Sequence, residues 1–379
     1  MLSYSKIVCF FALSFILGVA LASFLTIPYW FFLELFLLGI FYALIFHRRK
    51  FIVVFGFCLM VFVLGMWRTA QEIKPAPESK RPAGIKQLAI IEKALPSPQA
   101  ELLTGILFGE QQTLDYQWKK KMNLAGLRHI TAVSGANIIF LSQALVWLLI
   151  VLGFYRKWAL LASIFLIWFY IFLIAWPASA VRAGIMASLL LIASILGRPN
   201  RAQRTIVLAG AVMLAVNPLL LRFNIGFQLS FLAALGLIYL APLLQTWFLR
   251  FKIFQRVDIS GILAICLSAW LFTLPLSVYY FGYFSPMAVM ANLLITPVIS
   301  LIMLLGFLLL LVGSVWQTLT VIFAWPVNFL LDYFLKVADW FSPDILADWQ
   351  FYFSKSILAV CYFALAFWIW RAQRQNKVF

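Results

Sequence analysis

Acidic residues are what this chain most lacks. Twelve Asp and Glu stand against 29 Lys and Arg in 379 residues, a formal net charge of +17, and charged residues of either sign make up only 11%. Glu34 and Asp332 are the acids that fall within long apolar runs, so the paired intramembrane acids of an ion-coupled carrier are missing. The two histidines stand well apart, and Cys9, Cys58, Cys266 and Cys361 form no C-x-x-C pair. No metal site or redox pair is visible in that set, and no cofactor is called for. The cysteines read as small apolar residues within apolar runs. A G-x-x-x-x-G-K-[ST] loop is absent, which removes a built-in nucleotide-driven motor.

What is present is apolar length. The chain is 65% hydrophobic with a mean hydropathy of +1.01, against about 45–50% apolar in soluble domains. Runs such as "LLASIFLIWFYIFLIAW" (160–176) are continuous rather than alternating, which predicts membrane helices and not a barrel. The reading is an all-α, polytopic membrane bundle of roughly 12 spans, with broken or re-entrant segments and short amphipathic helices outside. The spans fall near 6–26, 28–46, 51–67, 130–153, 158–176, 179–197, 205–221, 225–248, 260–281, 287–312, 315–337 and 355–371. "NLLITPVIS" is where a break or re-entry is expected. The first run, preceded only by Lys6, reads as a retained span, with a signal anchor as the alternative.

Basic residues set the orientation. With the N-terminus inside, inner loops hold Arg48–Lys50, Arg156 and Lys157, Arg198, Arg201 and Arg204, Arg250, Lys252 and Arg256, and the C-terminal Arg371, Arg374 and Lys377. Asp258 is the one acid among them, and most of the others fall outside. This predicts a cytoplasmic (inner) membrane protein with both termini cytoplasmic.

The one long stretch between spans is 68–129. "KPAPESKRPAG" (74–84) is a Pro-rich charged linker. Segments 85–95, 99–110 and 114–127 read as short helices, too short to span, lying on the outer surface or tucked into the mouth of the bundle.

Polar residues inside spans cost free energy unless paired or wetted. Arg182 faces a wet path or an anion, or snorkels to the interface. Gln228 bonds a neighbouring helix or lines the path. Lys119, Lys120, Lys121 and Arg128 form an outer basic group, a funnel for a polyanion or a solvated face, beside Tyr116 and Trp118, which could stack on bases. In "LRHITAVSGANIIF" (127–140), His129 and Ser134 suggest a base and a nucleophile. Five residues on a helix put them about 140° apart. With no orienting acid and no G-x-S-x-G elbow, catalysis recedes and the chain is read as a non-enzyme. Thr131, Ser134, Gly135 and Ser142 instead stripe one face, with Asn137 at its edge, as a wet lining or a tight helix contact.

The stretch "LLTGILFGEQQTLDYQWKKKMNLAGLRHITAVSGANIIFL" resembles the signature of the ComEC competence family. "ASAVRAGIMA", "RTIVLAGAVMLAVNPLLL", "GFQLSFLAALGLIYL" and "TLPLSVYYFGYFSPMAVMANLLITP" follow in the family's order. The resemblance covers about 101–340. It implies an inner-membrane channel passing one strand of incoming DNA during natural transformation. Gly109, Glu110, His129, Ser134, Gly135, Arg182, Gln228 and Asn292 would carry the family positions. An outer DNA receptor and a cytoplasmic helicase-like motor are the implied partners, alongside single-stranded DNA and membrane lipid; a homo-oligomer is compatible. The implied division is 1–67 N-terminal spans, 68–100 the remnant of a soluble domain, 101–371 the channel domain and 372–379 a cytoplasmic tail. Three departures matter: residues 68–100 are too few for the small OB-like soluble domain the family commonly has there, no H-x-H-x-D-H cluster is present, so a nuclease role is not carried over, and Asn137 stands where the family often has histidine. The alternatives are a transporter of another anionic or lipid-linked substrate, and an intramembrane hydrolase.

Overall fold

A computed structural model describes residues 4–25, 27–71, 86–109, 114–130, 135–174, 176, 178–195, 202–251, 259–282, 285–316, 320–342 and 353–375. Those residues form helices and connecting turns, with no strand among them. The first group is α1 (Tyr4–Phe24), α2 (Tyr29–Ile45) and α3 (Lys50–Ala70); the second is α4 (Lys86–Ala94), α5 (Gln99–Phe108) and α6 (Tyr116–Leu124). Then come α7 (Gly135–Val151), α8 (Arg156–Leu173), α9 (Ala178–Ile195), α10 (Ala202–Val216), α11 (Leu220–Phe223), α12 (Ile225–Tyr239) and α13 (Ala241–Phe248). The last are α14 (Ile259–Phe281), α15 (Ala288–Val315), α16 (Thr320–Trp340) and α17 (Lys355–Gln375).

The protein is a multi-pass membrane protein. Among the described residues seven helices, α1, α3, α8, α14, α15, α16 and α17, are long and apolar enough to cross a bilayer. The pair α12–α13, bent by 45°, makes an eighth if it is one span. All twelve expected spans fall on helices, but α2, α7 and α10 have only 15 to 17 residues, and the apolar part of α9 is confined to Ala180–Ile195. A helix of 15 residues is about 22 Å long, short of a hydrocarbon core of about 30 Å.

The break is not where "NLLITPVIS" suggested it. Helix α15 runs unbroken through Pro297, and α14 and α16 carry Pro275 and Pro326 in their interiors. The bend comes at Leu240, just ahead of Pro242 in the first turn of α13. There the proline ring meets the preceding turn and removes a donor from the helix ladder.

Packing is close where side chains are small. A Cβ added to Gly18 of α1 would lie 2.0 Å from the Phe62 carbonyl oxygen of α3, and one on Gly65 of α3 would lie 2.4 Å from that of Phe15. With lipid as apolar as leucine, such backbone approach is what holds membrane helices together.

Of the two placements expected for the three short helices, they take the tucked one: each buries its apolar face against the bundle, with the other face of α6 left open. Leu102, Leu103, Ile106 and Leu107 of α5 are fully buried in one core with Ile91 of α4, Met122 of α6, and α15 and α16. Ile90 of α4 meets Gly313 near the end of α15, whereas the end of α6 meets Ala288 at its start. Those points are about 37 Å apart along the helix. Helices α4, α5 and α6 are therefore spread along the length of the α15–α16 pair, and α4 shares a core with residues beyond 101.

Candidate functional site

The site begins with how α6 stops. Gly126 takes the left-handed conformation, φ 69°. The Gly126 N–H donates to the Asn123 carbonyl (3.1 Å) and the Leu127 N–H to the Met122 carbonyl (2.8 Å). These are the two bonds of a Schellman stop, completed by burial of both Met122 and Leu127. The "AGL" of the stretch 125–127 is thus a helix terminator before anything else.

That stop is docked on α15. The Ser285 hydroxyl donates to the Leu124 carbonyl, and the Trp270 indole donates to the Ser285 carbonyl at 3.1 Å. Asn292 donates to the Ala288 carbonyl at 2.7 Å and to the Gly126 carbonyl at 3.4 Å. The same Gly126 oxygen lies 3.1 Å from His129 Nδ1, so Nδ1 carries the proton, because a carbonyl can only accept. His129 and Asn292, far apart in sequence, meet on one oxygen. His129 keeps solvent contact, and protein atoms gather around the ring. Lost hydration holds its pKa below the usual value, and the bond to Gly126 works the other way.

Beside this knot lies an open depression of about 270 Å³, lined by Tyr116, Lys119, Lys120, Asn123, Leu124 and Arg128. Positions 116, 119, 120 and 123 follow the i, i+3, i+4, i+7 rule and share one face of α6. Tyr116 is 78% exposed, and Arg128 donates to Asn123 at 3.2 Å. No acid lines the depression. The fourth residue of the expected funnel is elsewhere: Lys121 pairs with Asp339 of α16 and sits 5.0 Å from the centre of the Trp118 ring.

Arg182 and Gln228 belong to a second region, between α9 and α12. Arg182 is 6% exposed, its guanidinium carbon lies 5.8 Å from the Phe231 ring, and its buried Nη1 has no hydrogen-bond partner. Gln228 donates to the carbonyls of Leu221 (2.8 Å) and Arg222 (3.1 Å), closing the end of α11. Its amide nitrogen is thus engaged in holding a turn.

Gly109 ends α5 with φ 76°, and the Tyr170 hydroxyl of α8 donates to the nearby Leu107 carbonyl. Glu110, Thr131 and Ser134 lie outside the described residues. Gly135 and Asn137 stand in the first turn of α7, and only their backbone is described.

Sequence reasoning missed three anchors. Arg68 of α3 donates to the carbonyls of Ala215 (3.0 Å) and Val216 (2.7 Å) at the end of α10. Arg222 donates to the Ser23 carbonyl at the end of α1 at 2.7 Å. Both satisfy orphan helix-end carbonyls with a cation at the negative end of the dipole. The signal was there: the charge pattern puts both arginines outside, where the positive-inside rule gives no reason for them. Third, both Asp332 oxygens take amide N–H groups, from Gln99 of α5 and from Asn328 at 3.2 Å.

The profile of a family described as Competence protein matches residues 106–375. "ComE operon protein 3" of Bacillus subtilis (strain 168) is 28% identical over 212 residues, which are 55% of this chain and 26% of that protein. The match thus spans about a quarter of the curated relative's length. No solved structure matches the chain.

Proposed function

Because the chain belongs to the Competence protein family, we propose that it forms the channel through which single-stranded DNA crosses the cytoplasmic membrane during natural transformation. The observation that carries this reading is the depression beside α6. Lys119, Lys120 and Arg128 surround it, no acid lines it, and an exposed Tyr116 stands at its edge. Cations along a groove with an aromatic face available to a base are what single-stranded nucleic acid binding requires. The depression adjoins the Gly126 knot, which ties the basic helix to the α15–α16 hairpin. Basic residues in the inner loops favour cytoplasmic termini. The chain contains no Walker loop, so strand movement draws on partners: an outer receptor that delivers DNA and a cytoplasmic helicase-like motor that pulls it.

A second reading is transport of another anionic or lipid-linked substrate. It is favoured by Arg182, whose buried guanidinium would suit any oxyanion. The two part on one experiment. Cells carrying a clean deletion are given DNA labelled on one strand, and label reaching the cytoplasm is counted. The channel reading expects that arrival to vanish and to return on complementation. Unchanged arrival in the deletion removes it.

A further inference from the structure

We propose that Arg182 is a phosphate-binding station inside the bundle, occupied by a phosphodiester of the passing strand. The assignment rests on the DNA-conducting reading for the identity of its occupant and on geometry for everything else. Arg182 is 6% exposed and its buried Nη1 has no partner. Helix α9 packs against α7, α8, α10 and α12. None of these five helices contains an Asp or Glu, so helix pairing brings Arg182 no carboxylate. The Phe231 face at 5.8 Å attracts the cation but accepts no hydrogen bond in the guanidinium plane. Burying a cation without a counter-charge is costly, and within membrane segments such residues mark substrate paths. The missing counter-charge is therefore one that comes and goes.

Its chemistry follows from the donor. A guanidinium presents a planar fork of N–H groups matched to two oxygens of one phosphate, which a lysine or a monatomic anion cannot reproduce. A strand phosphodiester, inorganic phosphate and a lipid headgroup share that chemistry.

The test uses the full chain purified in detergent micelles without phospholipid. Thermal unfolding is followed by tryptophan fluorescence while inorganic phosphate, a 12-nucleotide DNA strand or phosphatidylglycerol is added at constant ionic strength. Phosphate and the strand should each raise the midpoint, and Arg182→Gln should raise the half-saturating concentration about tenfold or more, one charged hydrogen bond's worth. Arg182→Lys keeps the charge without the fork, remains informative if the glutamine variant does not fold, and should show a similar loss. Lys355→Gln, at the exposed start of α17 and away from both Arg182 and the basic depression, should leave the phosphate response intact. Equal protection of wild type and Arg182 variants overturns the site. Protection by phosphatidylglycerol alone overturns the strand as occupant. If Arg182-dependent protection is seen but cells lacking the chain still take up DNA, the channel reading fails and the oxyanion site stands. If uptake needs the chain but no oxyanion protects it, the site fails alone.

Discussion

Gly126 lies so close to Ala288 that a Cβ on the glycine would sit 2.3 Å from the Ala288 Cβ. The positive φ that closes α6 and the contact that docks it on α15 fall on one residue. Substituting Gly126→Ala adds left-handed strain of about 1–2 kcal/mol and overpacking of about 1–3 kcal/mol. The expected outcome is a variant about 2–5 kcal/mol less stable, measured by thermal unfolding, with the His129 and Asn292 bonds lost together. Full stability would mean that α6 does not dock there.

His129 gives the knot a pH dependence. Its folded pKa is lowered from an ordinary value near 6.5, so the folded state binds fewer protons than the unfolded one. The stability tied to the neutral ring is fully present above about pH 6.5 and is lost as pH falls below that, through the folded value. Comparing melting temperatures from about pH 7.5 down to about 5, either side of that ordinary value, should show a steeper fall for wild type than for His129→Gln. Parallel curves would remove the imidazole from the account.

The arginine staples join α1 and α3 to α10 and α11. Arg222→Met leaves the Ser23 carbonyl without its donor, and Arg68→Met releases both Ala215 and Val216. Hydrogen bonds to charged groups contribute about 1.5–3 kcal/mol each, so Arg68→Met should cost at least as much as Arg222→Met. An independent check is protease sensitivity of the α1–α3 region, which should rise in both variants.

Asp332 holds Gln99 at the start of α5. In Asp332→Leu two amide N–H groups lose their acceptor, at about 1–3 kcal/mol each. Asp332→Asn retains one acceptor oxygen and should lose roughly half as much. Hydrogen exchange across α5 would report the release directly, and exchange as slow in both variants as in wild type would show that the carboxylate does not anchor it.

Much of this was legible in sequence because apolar length and charge placement are local signals. All twelve expected spans meet a helix, and "AGL" before His129 carries a helix-stop pattern in plain view. What sequence could not give is which prolines bend a helix. Pro297 and Pro275 are absorbed, while Pro242 bends, since neighbouring helices decide whether a freed carbonyl finds company. Nor could it divide the basic run: Lys121 leaves its neighbours because Asp339, 218 residues on, stands beside it. The placement of α4, α5 and α6 along α15 and α16 is a long-range choice of the same kind. For Gln228 the sequence left two readings, a bond to a neighbouring helix or a place on the path, and the structure shows its amide nitrogen on the carbonyls that end α11.

The channel claim is tested most directly at the basic depression. In cells expressing Lys119→Gln, Lys120→Gln and Arg128→Gln together, single-strand label arriving in the cytoplasm is counted against wild type at equal protein in the membrane. Three lost phosphate contacts predict arrival reduced about tenfold or more, with a steeper loss in wild type than in the variant as external salt is raised. Arrival equal to wild type, with the same salt dependence, would contradict it.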